Sequence, residues 1–230
     1  TSGWRLLLNE MAESLRFVRG QRRIQTAIVQ LVTIATLIML MAMLAPGYAA
    51  RVLGMSAENA VIVFAPAGLG MLMAIGLTGR WGHLLRRYGF GYLGLIFSGL
   101  AFAGMGWIAL SYDRVMQPIL QFYPQAAFSL TTATMTLGLI LGLCLASVNI
   151  LGQTVVQQDS PAYIRGRVLA LQFMLSNLIG IPPMLALGGL ADVIGIPRVM
   201  EVAGLAAIGM ALLSLFVGRV RDRRAEPAAQ

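Results

Sequence analysis

The sequence predicts an all-α membrane protein with six transmembrane helices, and three observations predict it. Of the 230 residues, 58% are apolar and 11% charged, against about 45–50% and about 25% in a soluble domain; mean hydropathy is +0.78. Six stretches without central charge each approach the ~20 residues a helix needs to cross roughly 30 Å of hydrocarbon. Between them the arginines fall almost entirely on alternate connections. The same composition excludes disorder, collagen and coiled coil, and a water-soluble fold would need far more charged surface.

The opening stretch is mixed in character. Trp4, Leu8, Met11, Leu15 and Val18 recur at helical spacing, while Arg5, Glu13, Arg16 and Arg19 lie largely elsewhere around the wheel. Residues 1–23 are therefore predicted as a cytoplasmic amphipathic linker helix, lying in the interface or leading into the first span. Its five arginines and lack of an apolar core do not make a cleavable signal peptide. The chain begins at Thr1 and is expected to be part of a longer polypeptide.

The predicted spans are Ile24–Leu44, Ala60–Thr78, Phe90–Leu110, Phe128–Thr154, Val168–Leu190 and Val199–Val217. Together they make 24–218 a six-span bundle, with 219–230 as a basic cytoplasmic tail. Glycine and proline inside several spans are tolerated where neighbouring helices satisfy the freed backbone groups. Small residues four apart (Gly138, Gly142 and Ala146; Gly70 and Ala74) let helices approach closely.

All 17 basic residues are arginine. Arg5, Arg16, Arg19, Arg22, Arg23, Arg80, Arg86, Arg87, Arg165, Arg167, Arg219, Arg221, Arg223 and Arg224 place 14 on one side; Arg51, Arg114 and Arg198 place 3 on the other. The positive-inside rule makes the richer side cytoplasmic. Both termini then lie in the cytoplasm, as an even number of spans requires, and the expected location is a cell membrane. On the outer side Tyr112–Gln125, with Pro118, Pro124 and the run Val115, Ile119, Leu120, Phe122, Tyr123, is expected to form a longer loop at headgroup level, an interfacial hairpin or a lid.

Catalysis is not expected. The single histidine, His83, lies among Arg80, Arg86 and Arg87, whereas an intramembrane serine protease needs a Ser–His pair at depth. Metal sites lack their ligands, and no P-loop is present. Cys144 stands alone, so no intrachain disulfide can form. No cofactor, metal or nucleic-acid partner is expected; membrane topology accounts for the arginines, and the lipid bilayer is the expected surrounding.

Polar residues within the spans are few: Gln30, Thr33, Thr36, Thr134, Thr136, Asn149, Gln172, Ser176 and Asn177. Lone hydroxyls mostly bond their own helix backbone. Gln30, Thr33, Thr136, Asn149, Gln172 and Asn177 are the candidate residues of a mainly apolar substrate pathway, with Asn149 and Asn177 expected to face the bundle interior. No acid or histidine lies within a span, so no proton-coupling group is visible here. Gly180, Pro182 and Pro183 interrupt the fifth span and are a candidate hinge. Asp159 and Ser160 precede Pro161, where the chain is expected to leave helical geometry. Arg165 and Arg167 can then cap carbonyls or pair with acids across the cytoplasmic face.

Two loops and the opening segment carry a resemblance. Gly79, Arg80, Gly82, Arg86 and Arg87 resemble the Gly-x-x-x-Asp-Arg-x-Gly-Arg-Arg loop of the major facilitator superfamily, although the aspartate is absent. The stretch from Gln157 to Val168, with Pro161, Arg165, Gly166 and Arg167, is similar to the Val-Pro-x-x-x-Arg-Gly-Arg-Val loop of its drug- and siderophore-exporter branch. Gly188-Gly189-Leu190-Ala191-Asp192 through Gly195 resembles that branch's exit from the eleventh span, and Gly3-Trp4 through Arg19 its central linker.

The resemblance covers essentially the whole chain, as spans seven to twelve of a twelve-span transporter. It implies two inverted three-helix repeats, a missing amino-terminal six-span half as partner, a small-molecule substrate, and secondary-active efflux by alternating access with the two loops as gating elements. Two other classes stay open: a non-transporting six-span scaffold or accessory subunit, and the permease subunit of an ATP-driven transporter.

Overall fold

The computed structural model describes residues 2–56, 60–87, 90–122 and 130–225. Within them the chain is entirely helical: α1 (Ser2–Gly20), α2 (Arg22–Arg51), α3 (Ala60–Arg87), α4 (Phe90–Phe122), α5 (Leu130–Asp159), α6 (Ala162–Ile194) and α7 (Ile196–Ala225). Six of these, α2 to α7, are long and apolar enough to cross a membrane.

Several helices outrun the spans read from hydropathy, because a helix does not stop where the hydrocarbon stops. α2 continues past Leu44 through Pro46 to Arg51. Tyr48 and Ala49 are fully buried there, and Gly47 packs so closely on Ile196 that a Cβ would sit 2.7 Å from its Cδ1. Residues 112–122, expected as a loop, continue α4; Val115, Ile119 and Phe122 recur at helical spacing, which the two prolines obscured. Tyr123–Gln125 lie outside the described residues. The tail expected from residue 219 is helical to Ala225, and 226–230 lie outside the described residues. Gly79, Arg80, Gly82, Arg86 and Arg87 likewise sit on the last turns of α3 and not in a loop.

The six long helices pack in two layers. α3, α5, α2 and α6 stand side by side in that order, and α4 and α7 pack along each other behind α5 and α2. α3 rests chiefly on α5 and α6 chiefly on α2, so these two form the flanks. Glycine sets the close crossings: a Cβ on Gly142 would overlap the Ala67 backbone and one on Gly70 the Leu139 backbone, while one on Gly99 would lie 2.7 Å from the Gly204 carbonyl oxygen. Van der Waals contact between backbones is the attraction available where lipid is as apolar as the helix surface.

The main core joins α2, α4, α5 and α7 around Tyr48, Phe102, Met105 and Met200. A second core gathers Val18 of α1, Ile24, Ile28 and Leu31 of α2, Val156 of α5, and Ile164 and Val168 of α6. It lies at the end where α2 and α6 begin and α5 finishes, called here the arginine-rich end. Outward faces remain apolar: Val61 and Leu72 on α3, Leu185 and Val193 on α6, and Phe216 on α7 are all well exposed. Such faces suit a lipid bilayer as surrounding solvent.

Candidate functional site

The densest set of charged contacts lies at the arginine-rich end, where α1, α2, α5 and α6 meet. α5 ends at Asp159 and α6 begins at Ala162. Pro161 between them has φ −57° and ψ 148°, so the chain turns where the proline was expected to turn it. Arg165 folds back over this turn, donating from Nε and Nη2 to the Ser160 carbonyl oxygen at 3.4 and 3.3 Å. Arg23 of α2 reaches Asp159 at 4.0 Å. Arg165, Gly166 and Arg167 are on the first turns of α6, not in a loop.

Arg167 makes the longest-range link. Its Nη1 donates to Glu13 Oε2 and its Nη2 to Glu10 Oε1, each at 3.1 Å. One guanidinium thus spans two carboxylates a turn apart on α1 from two separate nitrogens, a charge-assisted geometry that arginine's rigid fork favours over the single ammonium of lysine. α1 settles against α6 through Ser14 and Val18, both buried, and not through Leu15, which is exposed. Serine fits the seam because its Oγ donates to its own helix, to the Glu10 carbonyl oxygen at 2.8 Å. Trp4 and Leu8 have side chains outside the described residues.

Just inside this junction runs a short polar chain. Gln153 Nε2 donates to Gln172 Oε1 at 3.2 Å, and Gln172 Nε2 reaches Ser176 Oγ at 3.5 Å. Gln172 is 3% exposed and Gln153 half-buried, so the contact joins α5 to α6 at a partly buried seam. Gln30 is also buried and lies over Gly91, its Oε1 2.6 Å from where a Cβ would stand.

The remaining pathway candidates do not converge with these. Thr33 donates to Val29 O and Thr136 to Thr132 O, each on its own helix. Asn149 is half-buried. Asn177 corrects the expectation of an inward face: it is exposed and donates to the Phe173 carbonyl oxygen at 2.9 Å, so its own backbone satisfies it away from the interior. Gly180 stands where α6 approaches α2, with a Cβ placed 3.2 Å from Thr36 Oγ1; α6 is assigned as one helix through Pro182 and Pro183. Arg80 is exposed, and the side chains of Arg86 and Arg87 lie outside the described residues.

Two features at the other end were not read from the sequence. Tyr48, fully buried, donates to the Met105 carbonyl oxygen at 3.2 Å and shares a 3.3 Å hydrogen bond with Thr134 Oγ1. Its ring meets Phe64 edge-on at 6.3 Å, so one side chain touches α3, α4 and α5. Arg51 pairs with Asp192 at 3.0 Å. Only the presence of one arginine and one acid at corresponding ends of α2 and α6 hinted at that pair. Among the described residues no group of three His, Cys, Asp or Glu side chains could hold a metal ion.

No protein-family profile, no curated protein and no solved structure matches this chain. The bundle's own geometry is therefore what supports a functional reading.

Proposed function

We propose that this chain is a six-span half of a secondary transporter of the major facilitator type, moving small amphipathic or hydrophobic compounds out of the cell by alternating access. Its arginine-rich end faces the cytoplasm, and a second six-span half completes the pathway.

The observation that carries this reading is a self-correspondence among the main helix contacts, from which only the minor α2–α4 contact departs. Exchange α2 with α5, α3 with α6 and α4 with α7. The α3–α5 contact then becomes α6–α2, α4–α5 becomes α7–α2, and the α2–α5 and α4–α7 contacts map onto themselves. Two three-helix repeats related by an axis in the membrane plane would produce this pattern, and such repeats place substrate sites and rocking interfaces in transporters. The two helices that form the flanks, α3 and α6, are exchange partners as well. The 14-to-3 arginine asymmetry supports the orientation.

The test is transport by the polypeptide that contains these six spans. Expression is expected to lower cellular accumulation of a hydrophobic dye, and collapse of the ion gradient to restore it. Unchanged accumulation across a broad compound panel would leave the chain a scaffold or accessory subunit. Loss of the effect on ATP depletion alone, with the gradient clamped, would favour the ATP-driven permease.

A further inference from the structure

Among the described residues, α1 carries two acids that are paired and two arginines that are not. Glu10 and Glu13 both turn to α6, where Arg167 binds them. Ser14 and Val18 form the buried seam. Arg16 and Arg19, one turn apart, stand on the exposed side, and among the described residues neither has an ion-pair partner. Leu15 lies beside them and is 36% exposed.

The position of this edge is fixed by the turn into α2. Gln21 N and Gln25 Nε2 both donate to the Val18 carbonyl oxygen at 3.1 Å, which holds α1 against the start of the first long apolar helix. Ile24, in the first turn of α2, is already fully buried. Arg16 and Arg19 therefore stand on the last turns of α1, just before the first helix long and apolar enough to cross a membrane.

We propose that the Leu15–Arg16–Arg19 edge of α1 is a docking surface for anionic phospholipid headgroups. The guanidinium groups take the phosphate, and Leu15 meets the acyl boundary. Charge complementarity selects an anion, and the neighbouring exposed leucine, together with the place of this edge beside the first apolar helix, selects a lipid over a free phosphate. Arg167 pairs with both Glu10 and Glu13, which offsets the charge of the acids nearest this edge, Glu13 standing one turn before Arg16. Lipid then meets the exposed side of α1 and the bundle its buried seam. This inference needs a bilayer and does not depend on transport.

The probe is a fluorophore on an Ala12→Cys variant of the full chain carrying Cys144→Ala. It is reconstituted in phosphatidylcholine vesicles with a small, equal fraction of spin-labelled phosphatidylglycerol or spin-labelled phosphatidylcholine. Phosphatidylglycerol is expected to quench more strongly. Each arginine near an anionic surface contributes about fivefold to the local lipid population, the equivalent of ~1 kcal/mol. The quenching ratio should fall toward unity in Arg16→Gln/Arg19→Gln and persist in Arg16→Lys/Arg19→Lys. If the glutamine variant does not insert, rising salt applied to the chain with both arginines must lower the ratio in the same way. Equal quenching by the two lipids, or a ratio that survives both the glutamine substitutions and salt, overturns the proposal.

Discussion

Arg51 Nη1 lies 3.0 Å from Asp192 Oδ1, joining the carboxyl end of α2 to that of α6 across 141 positions of sequence. Both side chains are largely exposed, at 64% and 71%, so the pair stabilises the bundle little. Solvated pairs of this kind contribute about 0.2–1 kcal/mol and weaken with salt. Its interest is its position, opposite the Arg167 junction on the same α6.

The first prediction concerns that pair. A double-mutant cycle with Arg51→Ala and Asp192→Ala, read by thermal unfolding in detergent, should give a coupling below ~1 kcal/mol that vanishes at high salt. If α2 and α6 part at this end during turnover, a short bifunctional thiol cross-linker across Arg51→Cys/Asp192→Cys arrests transport while leaving assembly intact. Full transport in the cross-linked protein would show that the two ends stay together throughout.

At the opposite end, Arg167→Ala removes the partner of both α1 carboxylates, Glu10 and Glu13, at once. Exposure of the three groups limits the loss to about 1–2 kcal/mol, near the sum of two solvated pairs. Hydrogen exchange of α1 amides should therefore quicken by roughly tenfold, with α2 to α7 unchanged. Charge exchange, Arg167→Glu with Glu10→Arg and Glu13→Arg, should recover part of the protection. If α1 exchanges at the same rate in all variants, the seam of Ser14 and Val18 holds it without the charges. Under the transport reading, Arg165→Ala/Arg167→Ala also slows turnover without impairing insertion.

The spans were legible because lipid imposes both a length and a composition, and both are sequence properties. Their ends were not, since Pro46 in α2 and Pro118 in α4 look like breakers in water yet lie within helices. The turn at Pro161 was legible from local sterics, and the pairing of Arg167 with acids followed from its place among the charged ends of the spans. Which acids it meets depends on how α1 lies across α6. The reach from Glu10 to Arg167 is 157 positions, and nothing local encodes it. Gln153 was passed over for a similar reason: it sits near the boundary of its span, where an amide reads as interfacial until Gln172 is seen opposite.

Glycine crossings give the third prediction. Gly142 and Gly68 look alike in sequence, but a Cβ on Gly142 would overlap the Ala67 backbone, whereas nothing lies within 4 Å of one on Gly68. Gly142→Ala must push α3 off α5 and should destabilise by about 1–3 kcal/mol, the usual range for overpacking. Gly68→Ala should be neutral or stabilise by up to ~1 kcal/mol through helix propensity. Thermal unfolding in detergent distinguishes them; equal midpoints would mean that the α3–α5 crossing is looser than its geometry.

Tyr48 supplies the fourth. Removing only the hydroxyl, in Tyr48→Phe, leaves Thr134 its own-helix bond to the Leu130 carbonyl oxygen at 2.8 Å. The loss should stay near the ~0.6 kcal/mol typical of hydrogen bonds between membrane helices. Tyr48→Ala also empties the space between α3, α4 and α5 and should destabilise by about 3–5 kcal/mol, as for other large aromatic truncations. A small gap between the two variants would show that the ring contact with Phe64 contributes little.

The last prediction tests whether α6 bends where its backbone is weakest. Pro182 and Pro183 have no N–H, so the carbonyls of Leu178 and Ile179 lack their normal helix donors. Two turns further on, Gly188 is packed so closely on Met43 that a Cβ would overlap that side chain. With α2 holding one side and two carbonyls free, any bend should concentrate between Ile179 and Pro183. Spin labels at Tyr163→Cys and Val193→Cys, both well exposed at 77% and 82%, would stand about 45 Å apart across some 30 helical residues. In a Cys144→Ala background the distance distribution should be broad with both prolines present. It should narrow in Pro182→Ala/Pro183→Ala, where two backbone bonds are restored. Under the transport reading, slower turnover should accompany the narrowing, since the stiffer helix exchanges less readily between states. Distributions of equal width would show that these prolines are accommodated without acting as a hinge.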